Sequence, residues 1–110
     1  MFQLRVLSGG KTGEIWDSPK PVVKLGRGAD CDFRFDAARD KAVSTHHAEI
    51  RFDGSHYVLV DVGSTNGTFV NGKRVQAPHR LREGDRILFG GPGGPEAIFS
   101  IEASVQGALT

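Results

Sequence analysis

Residues 61–72 read DVGSTNGTFVNG, a run of small, hydroxyl and amide side chains between two β-like segments. The segment before it, YVLVDV at 57–62, alternates its side chains with the two-residue period of a β-strand. At the far end, Asn71-Gly72 is the strongest short-range signal for a hairpin turn, and β-like residues stand on both sides of it. The stretch therefore predicts a strand, a polar loop and a hairpin in immediate succession.

Short alternating segments of the same kind occur along the rest of the chain. They begin with FQLRV at 2–6 and end with AIFSIE at 97–102, and turns rich in glycine, proline or aspartate separate them. Helix-friendly residues occur only at 36–43, and this segment is so short that we predict a loop there. Ten or eleven short strands without a long helix predict an all-β sandwich or barrel.

Size and composition agree with one globular domain. The chain has 110 residues, of which 38% are hydrophobic and 25% charged, so a core can form without covalent cross-links. Fifteen glycines favour many turns and short strands over long helices. Phe2 and Phe99 are both candidates for the core, which would bring the two ends of the domain together.

Charge and cysteine content exclude several classes of function. The net charge of +1 gives no overall attraction to nucleic acid or to an acidic membrane, so any anion recognition must be local. The single cysteine, Cys31, excludes an internal disulfide and a zinc site of several cysteines, and it agrees with a reducing compartment. No apolar run is long enough to span a membrane, and residues 1–5 show no signal-peptide pattern. We therefore predict an intracellular, cytoplasmic domain that does not insert into a membrane.

Three polar segments at strand ends carry the chemistry of an anion site. They are Gly26-Arg27, the four residues Ser44–His47, and 61–68. The Arg27 guanidinium offers a fork of charged donors, and hydroxyls such as those of Ser44 and Thr65 add donors without charge. Together these groups suit a phosphate.

The order and spacing of these segments resemble the forkhead-associated (FHA) domain. The residues that carry the resemblance are Gly26-Arg27, Ser44-x-x-His47, the stretch 61–68 and Val70-Asn71-Gly72. The resemblance runs from Phe2 to Glu102, so we assign the domain to 1–102 and regard 103–110 as a tail or the start of a linker. It implies an FHA/SMAD-like, two-sheet β-sandwich of about eleven short strands, whose loops at one end bind phosphothreonine peptides.

The resemblance also assigns roles to single residues. It implies a phosphopeptide-binding set and a set that supports the loops structurally. The binding set is Arg27, Ser44, Thr45, Thr65 and Asn66, and the supporting set is Gly26, His47, Gly63, Gly67 and Asn71. Thr45 departs from the pattern, because many members carry a longer polar or basic residue there; it keeps a hydroxyl but adds no second cation.

Several of these side chains allow a second interpretation. Asn66 either clamps the main chain of an extended peptide or is a turn residue before Gly67, and the two roles are compatible. His47 could act as a base or a metal ligand, as histidines often do, but the resemblance implies that it holds the loops together by hydrogen bonds. Its neighbour His46 points elsewhere if the segment is extended, so we predict a surface residue.

Other classes of function compete with phosphothreonine recognition. Ser44, His47 and Asp61 suggest a hydrolase triad, but no Gly-x-Ser-x-Gly elbow is present, so we expect no enzyme. A phosphate-independent assembly domain of the same fold is the alternative, supported by Thr45. We expect no cofactor, no metal and no nucleic acid. We expect the isolated domain to be monomeric and its partner to be a protein or peptide that carries a phosphothreonine introduced by a Ser/Thr kinase.

Overall fold

A computed structural model of the chain describes residues 2–101. The predicted tail at 103–110 and the last residue of the predicted domain, Glu102, lie outside the described residues. Across 2–101 the secondary structure consists of eleven β-strands and turns. The strands are β1 (Phe2–Val6), β2 (Ile15–Ser18), β3 (Val22–Gly26), β4 (Phe33–Arg34), β5 (Ala48–Phe52), β6 (Tyr57–Asp61), β7 (Thr68–Val70), β8 (Lys73–Arg74), β9 (His79–Arg80), β10 (Arg86–Phe89) and β11 (Glu96–Ile101).

The strands form two sheets that enclose one hydrophobic core. The order in the six-stranded sheet is β2-β1-β11-β10-β7-β8, and in the five-stranded sheet it is β4-β3-β5-β6-β9. The predicted two-sheet sandwich of about eleven strands is therefore confirmed, and the barrel is not what forms. Residues 36–43 contain turns and no helix, as predicted. Within 2–101, no helical segment has the length and apolar character needed to cross a bilayer.

Aromatic side chains fill the core where β1 meets β11. Phe2 pairs with Ile101 across these antiparallel strands, so the two ends of the described chain are adjacent, as expected. The rings of Phe2 and Phe99 stack with centroids 5.7 Å apart, and Tyr57 approaches both rings edge-on. Such ring pairs add to the stabilisation that burial alone provides.

The predicted hairpin at Asn71-Gly72 joins β7 to β8. Both residues have positive φ, +50° and +86°, which is the conformation a two-residue hairpin requires. The Asn71 amide donates to an Asp85 carboxylate oxygen over 2.9 Å, and its oxygen accepts the Arg86 N–H over 3.0 Å. These bonds connect Asn71 to the start of β10.

Antiparallel pairing brings the remaining polar loops to one rim of the sandwich. Leu25 at the end of β3 pairs with Ala48 at the start of β5, and Ala48 pairs with Asp61 at the end of β6. The chain therefore leaves β3, enters β5 and leaves β6 at the same edge. The segments at 26–28, 41–47 and 62–67 must then lie side by side.

Candidate functional site

Backbone and side-chain hydrogen bonds tie the three rim loops together. The Arg27 N–H donates to the Ser44 carbonyl over 3.1 Å, which joins the first loop to the second. The Thr65 N–H donates to the Ser44 hydroxyl over 3.0 Å, which joins the third loop to the second. Asn66 adds another link, because its amide donates to the Ala42 carbonyl over 3.0 Å. The predicted convergence of these loops is present in the structure.

Gly26 permits this close approach of the first two loops. A Cβ at Gly26 would lie 2.2 Å from the Thr45 carbonyl oxygen, well inside van der Waals contact. Any side chain there would push the loops apart, because the clash involves backbone. A glycine is therefore required before Arg27 for steric reasons, and not because the backbone there adopts a positive φ.

A shallow depression of about 260 Å³ lies where the loops meet. All five residues predicted to bind a phosphopeptide line it, and three further residues complete the lining. The full set is Arg27, Lys41, Ala42, Val43, Ser44, Thr45, Thr65 and Asn66. The polar groups at its surface are a guanidinium, an ammonium, hydroxyls and an amide, which all can donate hydrogen bonds to an anion.

The Arg27 side chain is half-buried and held in place by the protein. Its Nε donates to the Val43 carbonyl, and its Nη1 donates to the Ala37 carbonyl over 3.1 Å. A guanidinium has five N–H donors, so these two bonds fix its position without exhausting its capacity. A pre-positioned arginine loses less conformational entropy when it binds an anion.

The Ser44 hydroxyl links two of the rim loops and can also donate a hydrogen bond to a ligand. Its oxygen already accepts the Thr65 N–H, and a hydroxyl that accepts a bond still has its own hydrogen to donate. The Thr45 and Thr65 side chains are exposed at the same depression. The three hydroxyls therefore lie around the opening beside Arg27.

His47 is buried beneath the depression and bonded at both ring nitrogens. Its Nδ1 accepts the Ser44 N–H over 3.0 Å, and its Nε2 donates to the Gly67 carbonyl over 2.9 Å. Burial lowers the pKa of His47 below its ordinary value, so the ring is neutral with the proton on Nε2. Since backbone groups occupy both nitrogens, the Ser44–His47–Asp61 arrangement is not a hydrolase triad. The ring instead spans the second and third loops.

Asp61 organises the third loop through four hydrogen bonds. One oxygen accepts the Gly63 and Ser64 N–H groups, and the other accepts the Ser64 and Thr68 hydroxyls, at 2.6–2.9 Å. Burial raises the pKa of Asp61, but the bonds led by Ser64 outweigh it and hold the pKa below its ordinary value. The positive φ of Gly63, +93°, belongs to this same turn.

Asp61 and Ser64 shape the third loop, a role that their motif in the sequence was not used to predict. The Ser64 oxygen accepts the Gly67 N–H over 2.9 Å, so Asp61, Ser64 and Gly67 form one connected network. An aspartate followed two and three residues later by glycine and serine is the pattern of a side chain that caps its own turn. That pattern was present in the sequence and could have identified them.

Lys41 is a charged residue at the depression that sequence reasoning did not select. It is exposed and lies in the 36–43 loop, which is shaped by local bonds from Asp36 and Asp40 and by long-range bonds to Gly10 and Arg27. The Asp40 carboxylate holds this loop by accepting the Asp36 and Gly10 N–H groups at 3.1 and 3.0 Å. No motif surrounds Lys41, so only the three-dimensional arrangement reveals it.

The side chains of Asn71 and His46 make their hydrogen bonds outside the depression. Asn71 bonds to Asp85 and Arg86, which places its side-chain bonds at β10 and not at the three rim loops. His46 is exposed, as predicted, and its Nε2 lies 2.9 Å from both oxygens of Asp30. His46 therefore faces away from the depression, although it follows Thr45 directly.

These features place the chain in a known family. The family model of the FHA domain matches residues 23–90, and the chain belongs to this family. It is 38% identical over 87 residues to the glycogen accumulation regulator GarA of Mycolicibacterium smegmatis, which covers 79% of this chain and 52% of GarA. It is 47% identical over 66 residues to the FHA domain-containing protein FhaA of Mycobacterium tuberculosis, which covers 60% of this chain and 12% of FhaA. The chain thus spans about half of one curated relative and a small part of the other.

A solved structure agrees with the family assignment. An FHA domain studied for phosphothreonine-dependent interactions is 36% identical to this chain, with a TM-score of 0.77. The match covers 91% of this chain and 95% of that one. The resemblance that the sequence motifs indicated is confirmed.

Proposed function

We propose that this domain binds phosphothreonine-containing peptides or proteins at the depression beside Arg27. The observation that carries the proposal is the placement of the guanidinium, which protein carbonyls fix next to the hydroxyls of Ser44, Thr45 and Thr65. The phosphothreonine-dependent interactions studied with a similar FHA domain support it. A phosphate at this position receives charge-assisted bonds from Arg27 and further bonds from the hydroxyls.

The peptide lies across the rim in an extended conformation. Asn66 is exposed at the edge of the depression and is held there by its bond to the Ala42 carbonyl. Its amide oxygen accepts from a peptide N–H, so the side chain positions the ligand backbone next to the phosphate. His47, Asp61 and Ser64 act below the surface, where they hold the loops that carry the contacting groups.

The proposal makes the domain a recruitment module and not an enzyme. Both nitrogens of His47 are bonded to backbone groups, so it supplies no base next to Ser44. The binding chemistry requires neither a cofactor nor a metal. An intracellular setting fits a chain with a single cysteine. The monomeric state stays a prediction.

Calorimetry with matched peptides tests the proposal. We expect a phosphothreonine peptide to bind at least about 100-fold more tightly than its unmodified form. Two charge-assisted hydrogen bonds account for that ratio at about 1.5 kcal/mol each. A phosphoserine peptide of the same sequence separates recognition of the phosphate from recognition of the threonine methyl group. Equal affinities for the phosphorylated and unmodified peptides would support the phosphate-independent assembly domain, which Thr45 favours.

Lys41 supplies the cation that Thr45 does not. Lys41→Gln is expected to weaken phosphopeptide binding by about 3- to 10-fold, since an exposed ammonium contributes modestly to the attraction of a phosphate. Thr45→Arg in the Lys41→Gln background should restore affinity, because it returns one positive charge to the same depression. Calorimetry at low and moderate salt measures both effects.

Lys73→Gln is the matched control for Lys41, because Lys73 is exposed on β8 and does not line the depression. It removes the same charge from the domain. If Lys41→Gln and Lys73→Gln bind the peptide as tightly as the unaltered protein, Lys41 has no part in the site.

A further inference from the structure

Three potential metal ligands meet on the outer side of the rim, away from the depression. They are Asp30 and Cys31 from the loop after β3 and His46 from the loop before β5. One ligand atom from each residue lies within 4.8 Å of the other two. The closest pair is His46 Nε2 with the Asp30 carboxylate, 2.9 Å from each oxygen.

The chemistry of these three ligands matches zinc. A thiolate, an imidazole and a carboxylate are the groups that bind Zn²⁺ in proteins, at metal–ligand distances of about 2.0–2.3 Å. Two ligand atoms in a tetrahedral zinc site are therefore about 3.6 Å apart. The three ligand atoms lie within 4.8 Å of one another, with His46 and Asp30 at 2.9 Å, so completing the site requires side-chain rotations that part His46 from Asp30 and turn the Cys31 thiol from the Thr45 carbonyl. Such a site needs only one thiolate, so the composition does not exclude it, but it departs from the expectation of no metal that the sequence alone supported.

The backbone holds the two loops in register for this contact. The Gly28 N–H donates to the Thr45 carbonyl over 3.0 Å, and the Cys31 thiol approaches the same oxygen at 3.3 Å. A Cβ at Gly26 would lie 3.0 Å from the Cys31 sulfur, and one at Gly28 would lie 2.8 Å from an Asp30 oxygen. Because neither glycine has a Cβ, the space that the Cys31 sulfur and the Asp30 oxygen occupy stays open.

We propose that Asp30, Cys31 and His46 form a Zn²⁺ site in which water occupies the fourth position. A groove lined by Lys24, Asp30, His46, Glu49 and Val62, among others, opens beside the cluster and admits that water. The Asp30 and His46 side chains are 61% and 55% exposed, so the ion reaches them directly from solvent. The ion cross-links the loop that follows Arg27 to the loop that contains Ser44 and Thr45. This proposal is independent of what the neighbouring depression binds.

Cobalt substitution tests thiolate ligation directly in the unaltered 110-residue chain. Titration with Co²⁺ in the presence of a non-thiol reductant should give a sulfur-to-cobalt charge-transfer band and visible bands of tetrahedral intensity, both saturating at one equivalent. Zn²⁺ should displace the cobalt and abolish these bands. A titration that gives neither band would overturn the proposal, whatever the variants do.

Variants then assign the other ligands. Cys31→Ser and His46→Gln should each weaken Zn²⁺ binding by at least about 10-fold, in line with the loss of one ligand. Zn²⁺ should raise the melting temperature of the unaltered chain, because it binds the folded state, and should raise it less in either variant. His56→Gln is the matched control, since His56 lies at the opposite end of β5 and β6. Equal Zn²⁺ affinity in His46→Gln, His56→Gln and the unaltered chain would contradict the assignment of His46.

Discussion

Arg27→Ala is expected to weaken phosphothreonine-peptide binding by about 100-fold or more. The substitution removes the guanidinium from the depression, and with it the charge-assisted bonds that distinguish a phosphate from a hydroxyl. At about 1.5–3 kcal/mol for each of two bonds, the loss amounts to two to four factors of ten. Calorimetry or fluorescence anisotropy with one labelled phosphopeptide measures it, and Arg27→Lys shows how much of the effect belongs to charge alone.

The same substitution is expected to reduce stability as well. An arginine whose side chain made no contact with the protein would be dispensable for folding. In the structure, however, Arg27 donates to the Val43 and Ala37 carbonyls and so fastens the 36–43 loop. We therefore expect Arg27→Ala to lower the free energy of unfolding by about 1–2 kcal/mol, measured by urea denaturation.

Arg39→Ala separates the loss of a charge from the loss of the site. Arg39 is exposed in the same loop and does not line the depression. Arg39→Ala should change the affinity for the phosphopeptide by less than about twofold, because only the long-range electrostatic attraction is reduced. A folded Arg27→Ala protein that binds the phosphopeptide within threefold of the unaltered domain would refute the central role of Arg27.

The fold and the meeting of the three rim loops were predictable because they depend on order along the chain. Alternation identified most strands, and antiparallel pairing then requires the ends of β3 and β6 and the start of β5 to share one edge. Gly26 ends β3, and Ser44 and Thr65 lie four residues outside the start of β5 and the end of β6, so their loops had to meet. The Asn71-Gly72 hairpin was predictable for another reason, since its local conformation needs no tertiary contact.

Residues placed by tertiary contacts were not predictable in this way. Lys41 reaches the depression because Asp40 and Arg27 fasten the 36–43 loop through the Gly10 N–H and the Val43 carbonyl, and these partners lie 30 and 16 residues apart in sequence. Asp30 and Cys31 meet His46 only because Gly26 and Gly28 let two loops touch. Bonds between residues 16 apart in sequence, such as that of His46 with Asp30, depend on the whole fold.

His47→Ala is expected to cause the largest loss of stability, about 3 kcal/mol. The substitution leaves a cavity where the fully buried ring packs edge-on against Phe89, and it deprives the Ser44 N–H of its acceptor. The Gly67 carbonyl keeps one partner, because it also accepts the Gly90 N–H over 2.8 Å. For a domain of this size the loss corresponds to a fall of about 12–20 °C in melting temperature.

Urea denaturation and thermal unfolding measure this loss. His47→Asn serves as an intermediate variant, because a shorter amide can replace one bond but cannot span from Ser44 to Gly67. We expect its stability to lie between those of the alanine variant and the unaltered domain. His56→Gln provides the control for removal of a histidine outside the core. A His47→Ala domain that unfolds at the unaltered temperature would show that the ring is not a structural link between the loops.

The pH dependence of stability tests the same residue by a second route. Burial holds the pKa of His47 below its ordinary value of 6.5, which the unfolded chain regains. Below pH 6.5 the unfolded state therefore binds more protons than the folded state, so stability falls as the pH decreases toward the folded pKa. The stabilisation is fully present above about pH 6.5. Its loss at lower pH should be absent from the stability curve of His47→Asn but retained in that of His56→Gln. Parallel stability curves for His47→Asn and the unaltered domain between pH 7.5 and 5 would mean that the buried ring does not titrate as its environment requires.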